Sequence, residues 1–248
     1  MSIRIVDDIS LGEIKVTSSF VEGHLTPEYG ISVVRGIDQI AAAITVQRGE
    51  IKAIGYGQDS RLSRIKGPIK FAQPVVVGDK MIITPSNLSA DELTGNSTIT
   101  VDGSTVTSIE GIEFEVVEAV GNINRHIQSE YAKTLIIESG AQTAIANFLH
   151  RRETSMTEEE RAKGDFLLYV GIQGPIDWYE DVYPNQEIEI RLYKDPQNSL
   201  RGDVIVYSED RRVAAILGNE CLIGNRERTP QLIDRLVQRR RSRATRSE

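Results

Sequence analysis

The chain has 248 residues, of which 40% are hydrophobic and 26% are charged, as in ordinary globular proteins of one large or two small domains. A single cysteine, Cys221, excludes an internal disulfide, and no apolar run is long enough to predict a membrane span. The first residues lack the layout of a signal peptide, so we expect a cytoplasmic protein.

The net charge of −7 is distributed unevenly along the chain. Residues 225–248 contain eight Arg against three acidic residues, so this segment carries +5 and the remainder carries −12. A mostly acidic body argues against broad nucleic-acid binding, and we expect neither a nucleic-acid nor a membrane partner.

The first half predicts a hairpin, a helix and then a series of strands. Residues 3–20 alternate apolar and polar side chains around a central turn, a pattern typical of a hairpin. After a loop that carries His24, residues 33–47 place apolar side chains at helical spacing, with Ser32 as the candidate N-cap. Strand-like runs follow, and Asp102-Gly103 predicts a tight hairpin turn between two of them.

The second half repeats this order. Residues 134–149 predict a second helix, which corresponds to the helix at 33–47. Three matches share one separation of 107 residues: Gly67–Phe71 with Gly174–Trp178, Val106 with Val213, and Gly111 with Gly218. Matches at a constant separation are hard to obtain by chance, so the sequence predicts an internal duplication.

We therefore expect one unit over residues 1–120 and a second over residues 121–225, each with a buried helix and antiparallel strands. This combination is an α+β architecture. Two such units could also join their edges into one continuous sheet, which would hide edge strands.

Residues 226–248 form a basic C-terminal tail that begins with helical spacing. We expect a frayed, solvated terminus there. The alternative is that Arg239, Arg240 and Arg241 attract an acidic carrier protein by electrostatic steering.

The predicted helix at 134–149 is apolar on nearly every side, which predicts burial, yet it carries Glu138 and Gln142 one turn apart. A buried carboxylate is costly unless it is paired or protonated, so Glu138 should have a partner or a chemical role. The arginines available for a purely structural pair are Arg35, Arg125 and Arg151.

The two aligned helices distribute a catalytic set between the units. Asp38 aligns with Glu138, and fourteen residues earlier stand His24 in the first unit and Asn124 in the second. In a quasi-symmetric pair, the loop of each unit would face the helix of the other. One cleft would then join His24 to Glu138 and Gln142, whereas the other would join Asn124 to Asp38 and lack a base. The sequence predicts one working site.

The segment GHLTPEYGISVVRGIDQIAAA resembles the histidine loop and acidic helix of bacterial 3-hydroxyacyl-acyl-carrier-protein dehydratases, with the spacing from His24 to Asp38 kept without a gap. Residues 71–79 resemble the strand that follows, and Glu138–Gln142 resembles the family's acid-x-x-x-Gln motif. The same layout is found in polyketide synthase dehydratase domains. The resemblance covers residues 3–224 and implies a double hotdog, with two antiparallel sheets each wrapped around a long central helix.

The resemblance implies syn elimination of water from a 3-hydroxyacyl thioester, bound to acyl carrier protein or CoA, in fatty-acid or polyketide biosynthesis. His24 would take the C2 proton, because an imidazole titrates near neutral pH. Glu138 would give a proton to the departing hydroxyl, and Gln142 would hold Glu138 or a water in place. No metal or organic cofactor is implied.

The implied donors to the thioester oxygen are the backbone N–H groups of Val33 and Val34, at the predicted helix N-terminus. The family has Pro-Gly where this chain has Ser32-Val33.

Two other functions remain open at this point. In a hotdog thioesterase, Glu138 would activate water and His24 would be incidental. A non-catalytic acyl-binding protein is supported by Asn124 and by the missing Pro-Gly. In each case we expect a monomeric pseudo-dimer or a homodimer.

Overall fold

The computed structural model describes residues 13–15, 33–51, 55, 57–118, 123–155, 165–183, 186–225 and 228–245. The described helices are α1 (Gly36–Gly49), α2 (Ile123–Ser155) and α3 (Arg228–Ala244). The described strands are β1 (Glu13–Lys15), β2 (Gln58–Ile65), β3 (Ile69–Phe71), β4 (Lys80–Ser86), β5 (Thr94–Val101), β6 (Ser104–Glu118), β7 (Asp165–Ile172), β8 (Ile176–Trp178), β9 (Glu189–Lys194), β10 (Arg201–Ser208) and β11 (Arg211–Asn225). His24 and most of the predicted hairpin at 3–20 lie outside the described residues.

These strands form one antiparallel sheet, in the order β1-β4-β5-β6-β2-β8-β11-β10-β9, with β3 and β7 paired to each other and to β6 and β11. The sheet contacts α1 through β4, β5 and β6, and it contacts α2 mainly through β7, β9, β10 and β11. The α+β prediction is confirmed. The structure does not confirm two sheets that each wrap one helix. The described strands form one sheet, as the expectation of joined edges predicted, because pairing at the inner edges satisfies backbone groups that two sheets would expose. No described helix has both the length and the apolar character needed to span a membrane.

The order of elements is repeated. The series α1, β2, β3, β4, β5, β6 is followed by α2, β7, β8, β9, β10, β11, and β2, β3, β5 and β6 each begin 107 residues before their counterparts. The repeat extends to single hydrogen bonds. Gly111 and Gly218 both have positive φ, and their N–H groups donate to Asn96 Oδ1 at 2.9 Å and to Asp203 Oδ1 at 2.7 Å. The predicted unit boundaries adjoin residues outside the described ranges and stay predictions.

The two halves meet through a self-complementary junction. Strand β2 pairs with β8 and β3 pairs with β7, and the paired residues are Arg64 with Asp177, Ile65 with Ile176, Ile69 with Ile172, and Lys70 with Gly171. Each residue of one pairing lies 107 positions from a residue of the other, so the junction has the pattern of a two-fold interface. A Cβ on Gly67 would lie 2.5 Å from the carbonyl oxygen of its own counterpart, Gly174. The backbones can approach this closely only because Gly67 has no side chain.

The predicted hairpin turn is confirmed. Asp102 and Gly103 have φ values of 49° and 69° between the paired residues Val101 and Ser104, as in the turns that match strand twist. The equivalent turn of the second half, Glu209-Asp210, has φ values of 49° and 62° without any glycine, and the sequence did not predict it.

The first two helices differ from their predicted bounds. Helix α1 begins three residues later than predicted because Val33 and Val34 pair with β-like backbone at Val75 and Val76 before the chain turns. Helix α2 is longer than the predicted 134–149. It is not buried on every side, since Leu135 is 39% exposed.

The C-terminal segment is a docked helix rather than a frayed tail. In α3 the side chains of Ile233, Val237 and Arg240 are buried on one face. Their spacing of four and three residues places them on one side of the helix, against the body of the protein. The alternative that Arg239, Arg240 and Arg241 steer an acidic carrier protein does not extend to Arg240, because its side chain is fully covered.

A buried lysine ties α2 to the first half of the chain. Lys133 Nζ donates to the backbone carbonyl of Leu62 in β2 at 2.7 Å and lies 3.4 Å from Asp181 Oδ1. Arg61 of β2 also pairs with Asp181, at 3.0 Å. Burial alone would raise the pKa of Asp181, but the charges and hydrogen bonds of Lys133 and Arg61 outweigh it and lower the pKa below its usual range.

The substitution Gly36→Ala should destabilise the fold. Its Cβ would lie 2.4 Å from Cζ of Phe71, so the ring must move, at a cost of about 1–3 kcal/mol. Gly49→Ala is the matched control at the other end of α1, where a Cβ would meet nothing within 4 Å. The control should be neutral or slightly stabilising. Urea unfolding of both variants tests this, and equal stabilities would contradict the packing argument.

The lowered pKa of Asp181 predicts an acid-dependent loss of stability. Because this pKa is lower in the folded chain, the stabilisation is present above the unfolded value near pH ~4 and is lost as the pH falls through the folded value. Asp181→Asn should therefore lose less stability than wild type between about pH 6 and about pH 3 in urea unfolding. Asp210→Asn, an exposed control in a hairpin turn, should behave as wild type. An equal loss of stability in Asp181→Asn and in wild type over this pH range would argue against the ion pairs of Asp181 with Lys133 and Arg61.

Candidate functional site

The acid and amide predicted on the second-half helix lie together. Gln142 Nε2 donates to Glu138 Oε1 at 3.2 Å, as expected for residues one turn apart on α2. Between them, Gly140 allows the helix to lie close to the sheet, since a Cβ there would be 2.8 Å from Cδ1 of Ile216. The helix therefore packs the face of Gly140 on the sheet, and Glu138 and Gln142 lie on its other side, where Gln142 is exposed.

The first half supplies an arginine to this pair. Arg35 Nη1 donates to Glu138 Oε1, and Arg35 Nε donates to Asp38 Oδ2 at 3.1 Å. The side chains of Arg35 and Glu138 are 22% and 19% exposed, so the contact is largely removed from solvent. One guanidinium thus holds both of the acids that align between the two helices. Arg35, one of the structural partners proposed for Glu138, is observed in contact with it, whereas the side chains of Arg125 and Arg151 lie outside the described part of the chain.

This ion pair changes the chemistry expected of Glu138. A guanidinium in contact with a carboxylate stabilises its charged form, and a charged carboxylate accepts protons or hydrogen bonds rather than donating them. The contact therefore favours a role as base or as hydrogen-bond acceptor over the predicted role as acid. His24, the predicted partner, lies outside the described residues.

The N–H groups predicted to donate to the thioester oxygen, those of Val33 and Val34, lie in a short β pairing and not at the start of a helix. The Val34 N–H donates to the Val75 carbonyl at 2.8 Å, and Val33 forms an antiparallel bridge with Val76. The Val34 N–H is therefore already used, and its assignment as a donor to substrate is corrected. Because α1 begins at Gly36, the N–H groups of its first turn belong to Gly36 and Ile37, where a helix has no internal acceptors.

A buried glutamine supports the start of α1, and the sequence did not predict it. Gln39 Nε2 donates to the Val34 carbonyl at 3.3 Å, while Gln39 Oε1 accepts from the hydroxyl of Thr107. The signal was available, because Gln39 falls on the same face of the helix as the buried Ile40 and Ala43.

Catalysis by a cysteine thiol and catalysis by a bound metal ion find little support in the described residues. Burial, and then the neighbouring Glu220, raise the pKa of Cys221 to about 12, so this thiol is a poor nucleophile. Cys221 is buried in strand β11. Within the described ranges, no three His, Cys, Asp or Glu side chains are grouped so that they could hold a metal ion.

No protein-family profile and no curated protein sequence matches the chain. Among solved structures it is similar to a putative oleoyl thioesterase from Lactobacillus plantarum, with a TM-score of 0.53, 8% identity, and coverage of 84% of this chain and 93% of that one. An acyl-ACP thioesterase from Bacteroides thetaiotaomicron gives 0.52 and 9%, over 85% and 96%. The dehydratase domain of PpsC from Mycobacterium tuberculosis, in complex with C12:1-CoA, gives 0.50 and 10%, over 86% and 92%.

Identities this low establish the fold alone. The chain has the double-hotdog fold of polyketide synthase dehydratase domains, and that expectation from the sequence is confirmed. Thioesterases share the fold as well, so the fold does not separate the two chemistries.

A double-mutant cycle can measure the contact between Arg35 and Glu138. With Arg35→Met and Glu138→Gln, we expect a favourable coupling of about 0.5–2 kcal/mol in urea unfolding, because both groups are partly buried. The control cycle uses Arg191→Met and Glu189→Gln, an ion pair on the exposed edge strand β9, where solvent screening should leave a smaller coupling. A coupling for Arg35 and Glu138 no larger than that of the control would contradict the pair.

Proposed function

We propose that the protein is a dehydratase that eliminates water from a 3-hydroxyacyl thioester. The observation that supports this proposal is the contact of Arg35 with Glu138, beside Gln142. Arg35 follows His24 by eleven residues, and Glu138 belongs to the other half of the chain. A cross-unit site requires the histidine-bearing end of one unit to meet the helix of the other, and this contact joins those two regions.

The ion pair of Glu138 with Arg35 is compatible with elimination in which His24 handles both proton transfers. His24 takes the proton from C2, the C2–C3 double bond forms, and the C3–O bond breaks. In a syn elimination the departing hydroxyl lies on the same face, so the imidazolium returns that proton and water leaves. Glu138 then accepts a hydrogen bond from the imidazolium or from the substrate hydroxyl, and Gln142 keeps the carboxylate in place.

The start of α1 suits the remaining requirement of the reaction. Negative charge builds on the thioester oxygen as the C2 proton leaves, and N–H groups that are already oriented stabilise it. We assign this role to the N–H groups of Gly36 and Ile37, at the positive end of the helix dipole.

A second candidate is hydrolysis of an acyl thioester. The pair of Arg35 with Glu138 favours it, because a charged carboxylate is suited to take a proton from water. The similar structures also include an acyl-ACP thioesterase and a putative oleoyl thioesterase.

The acyl carrier, acyl carrier protein or CoA, and a place in fatty-acid or polyketide assembly belong to the same proposal. The PpsC domain was solved in complex with C12:1-CoA, which supports a CoA thioester as one candidate substrate. The proposal also includes a cytoplasmic location and the division into units at 120/121 and 225/226.

Mass spectrometry of a 3-hydroxyacyl thioester, on both carriers and at several chain lengths, tests the function. Wild type should convert it to the enoyl thioester with loss of water. His24→Ala should abolish the reaction, and Glu138→Gln should slow it about 10–100-fold, because the imidazolium or the substrate hydroxyl loses a charged hydrogen-bond acceptor. Glu110→Gln, which neutralises an exposed carboxylate of β6, should match wild type.

Two other results would replace this function. Release of free acid and thiol that survives His24→Ala but not Glu138→Gln would indicate hydrolysis. Binding of the thioester by wild type with no product of either kind would indicate a non-catalytic acyl-binding protein.

A further inference from the structure

The C-terminal helix α3 is attached to the protein next to the candidate site. The buried side chains Ile233 and Val237 of α3 form an apolar cluster with Val33 and Val76. Val33 lies directly before the first turn of α1, two residues ahead of Arg35. The helix therefore covers the backbone pairing of Val33 with Val76, and α1 begins directly after this pairing.

A buried arginine fixes α3 in this position. The side chain of Arg240 is 0% exposed and pairs with Asp79, which is 1% exposed, and with Asp102 at 3.3 Å. Its Nη1 also donates to the Pro74 carbonyl at 2.7 Å. A second arginine, Arg241, pairs with Asp79 at 3.2 Å. A guanidinium can be buried this completely only where acceptors surround it, and here they come from the residues before β4 and from the turn between β5 and β6.

The contacts continue from this cluster to the candidate site. Asp79, which Arg240 holds, accepts a hydrogen bond from the Val76 N–H at 2.8 Å. The neighbouring Val75 carbonyl accepts from the Val34 N–H at 2.8 Å, and the next residue, Arg35, reaches Glu138. Residues 74–79 thus lie between α3 on one side and the start of α1 on the other. Every step of this path is a hydrogen bond, an ion pair or a peptide bond.

The second half of the chain differs at the equivalent place. The counterpart of Asp102 is Glu209, whose described ion pair is a long contact of 3.8 Å with the exposed Arg211 in the same turn. The helix α3 is therefore docked on the half that supplies Arg35, the residue directly before α1.

We propose that Arg240 is a positioning residue, and that α3 acts through it to hold Val33, Val34 and Arg35 where Arg35 can reach Glu138. The catalytic consequence rests on the proposed function, whereas the positioning itself is a property of the fold. Without the guanidinium, the carboxylates of Asp79 and Asp102 would lose their shared counter-ion, and residues 74–79 would no longer be held against α3. The pairing of Val34 with Val75 would then open more often.

Amide hydrogen exchange on the full-length chain tests this inference, with Arg240→Gln compared with Arg239→Gln. The control removes the same charge from the exposed side of the same helix. The readout is the Val34 amide, which donates to Val75, relative to core amides of β10. In Arg240→Gln the Val34 amide should exchange at least about 10-fold faster while the β10 amides stay near their wild-type rates. In Arg239→Gln both should match wild type.

Three results would overturn the inference. The first is an unchanged Val34 amide in Arg240→Gln, and the second is an equal acceleration in β10, which would mean general destabilisation. The third is an equal effect of Arg239→Gln. If Arg240→Gln does not fold, Asp102→Asn weakens the same cluster from its 30% exposed partner and should accelerate Val34 exchange in the same direction. An unchanged Val34 amide in that variant also counts against the inference.

A turnover assay separates this inference from the proposed function. If wild type converts a 3-hydroxyacyl thioester, Arg240→Gln should lower kcat by about 10-fold or more, because the donors at the start of α1 are misplaced. Arg239→Gln should keep wild-type kcat. If wild type converts nothing but Val34 exchange responds as expected, the proposed function fails and the positioning role stands. Lost turnover with unchanged Val34 exchange would reject the positioning role alone.

Discussion

The self-complementary junction between the two halves is the constraint on which the rest of the structure depends. Strands β2 and β3 pair with β8 and β7 in a pattern that repeats itself under a shift of 107 residues. Gly67 lies so close to the backbone of Gly174 that no side chain would fit. This junction joins the strands into one sheet and places the start of α1 beside the middle of α2. A cross-unit site is possible because these two helices meet, and the junction brings them together.

The features with chemical meaning depart from this symmetry. A single guanidinium, that of Arg35 in the first half, collects both Asp38 and Glu138. The C-terminal helix is attached to the first half through Arg240. The repeated backbone thus provides the frame, and the described charges of the candidate site lie where the start of α1 meets α2.

Much of the frame could be predicted from the sequence, because glycines, turns and helical periodicity are local signals. The Asp102-Gly103 turn was predicted on these grounds, whereas Glu209-Asp210 carries no such signal and takes the same shape because the strands impose it. The pair of Glu138 with Gln142 follows from spacing on one helix. The later start of α1 and the docking of α3 could not be predicted. Both depend on contacts between segments far apart in the chain, such as Val34 with Val75.

The duplication within one chain also has a consequence for how such a site can change over time. In a dimer of identical subunits, every substitution appears twice, and an arginine introduced at one cleft would enter the other as well. Here the two copies are encoded separately, so Asp102 and Glu209 can differ at equivalent positions. One cleft can therefore keep a given set of charged side chains, while in the other cleft only packing limits which substitutions are accepted. The absence of a side chain at Gly67 preserves the union of the halves while their sequences diverge.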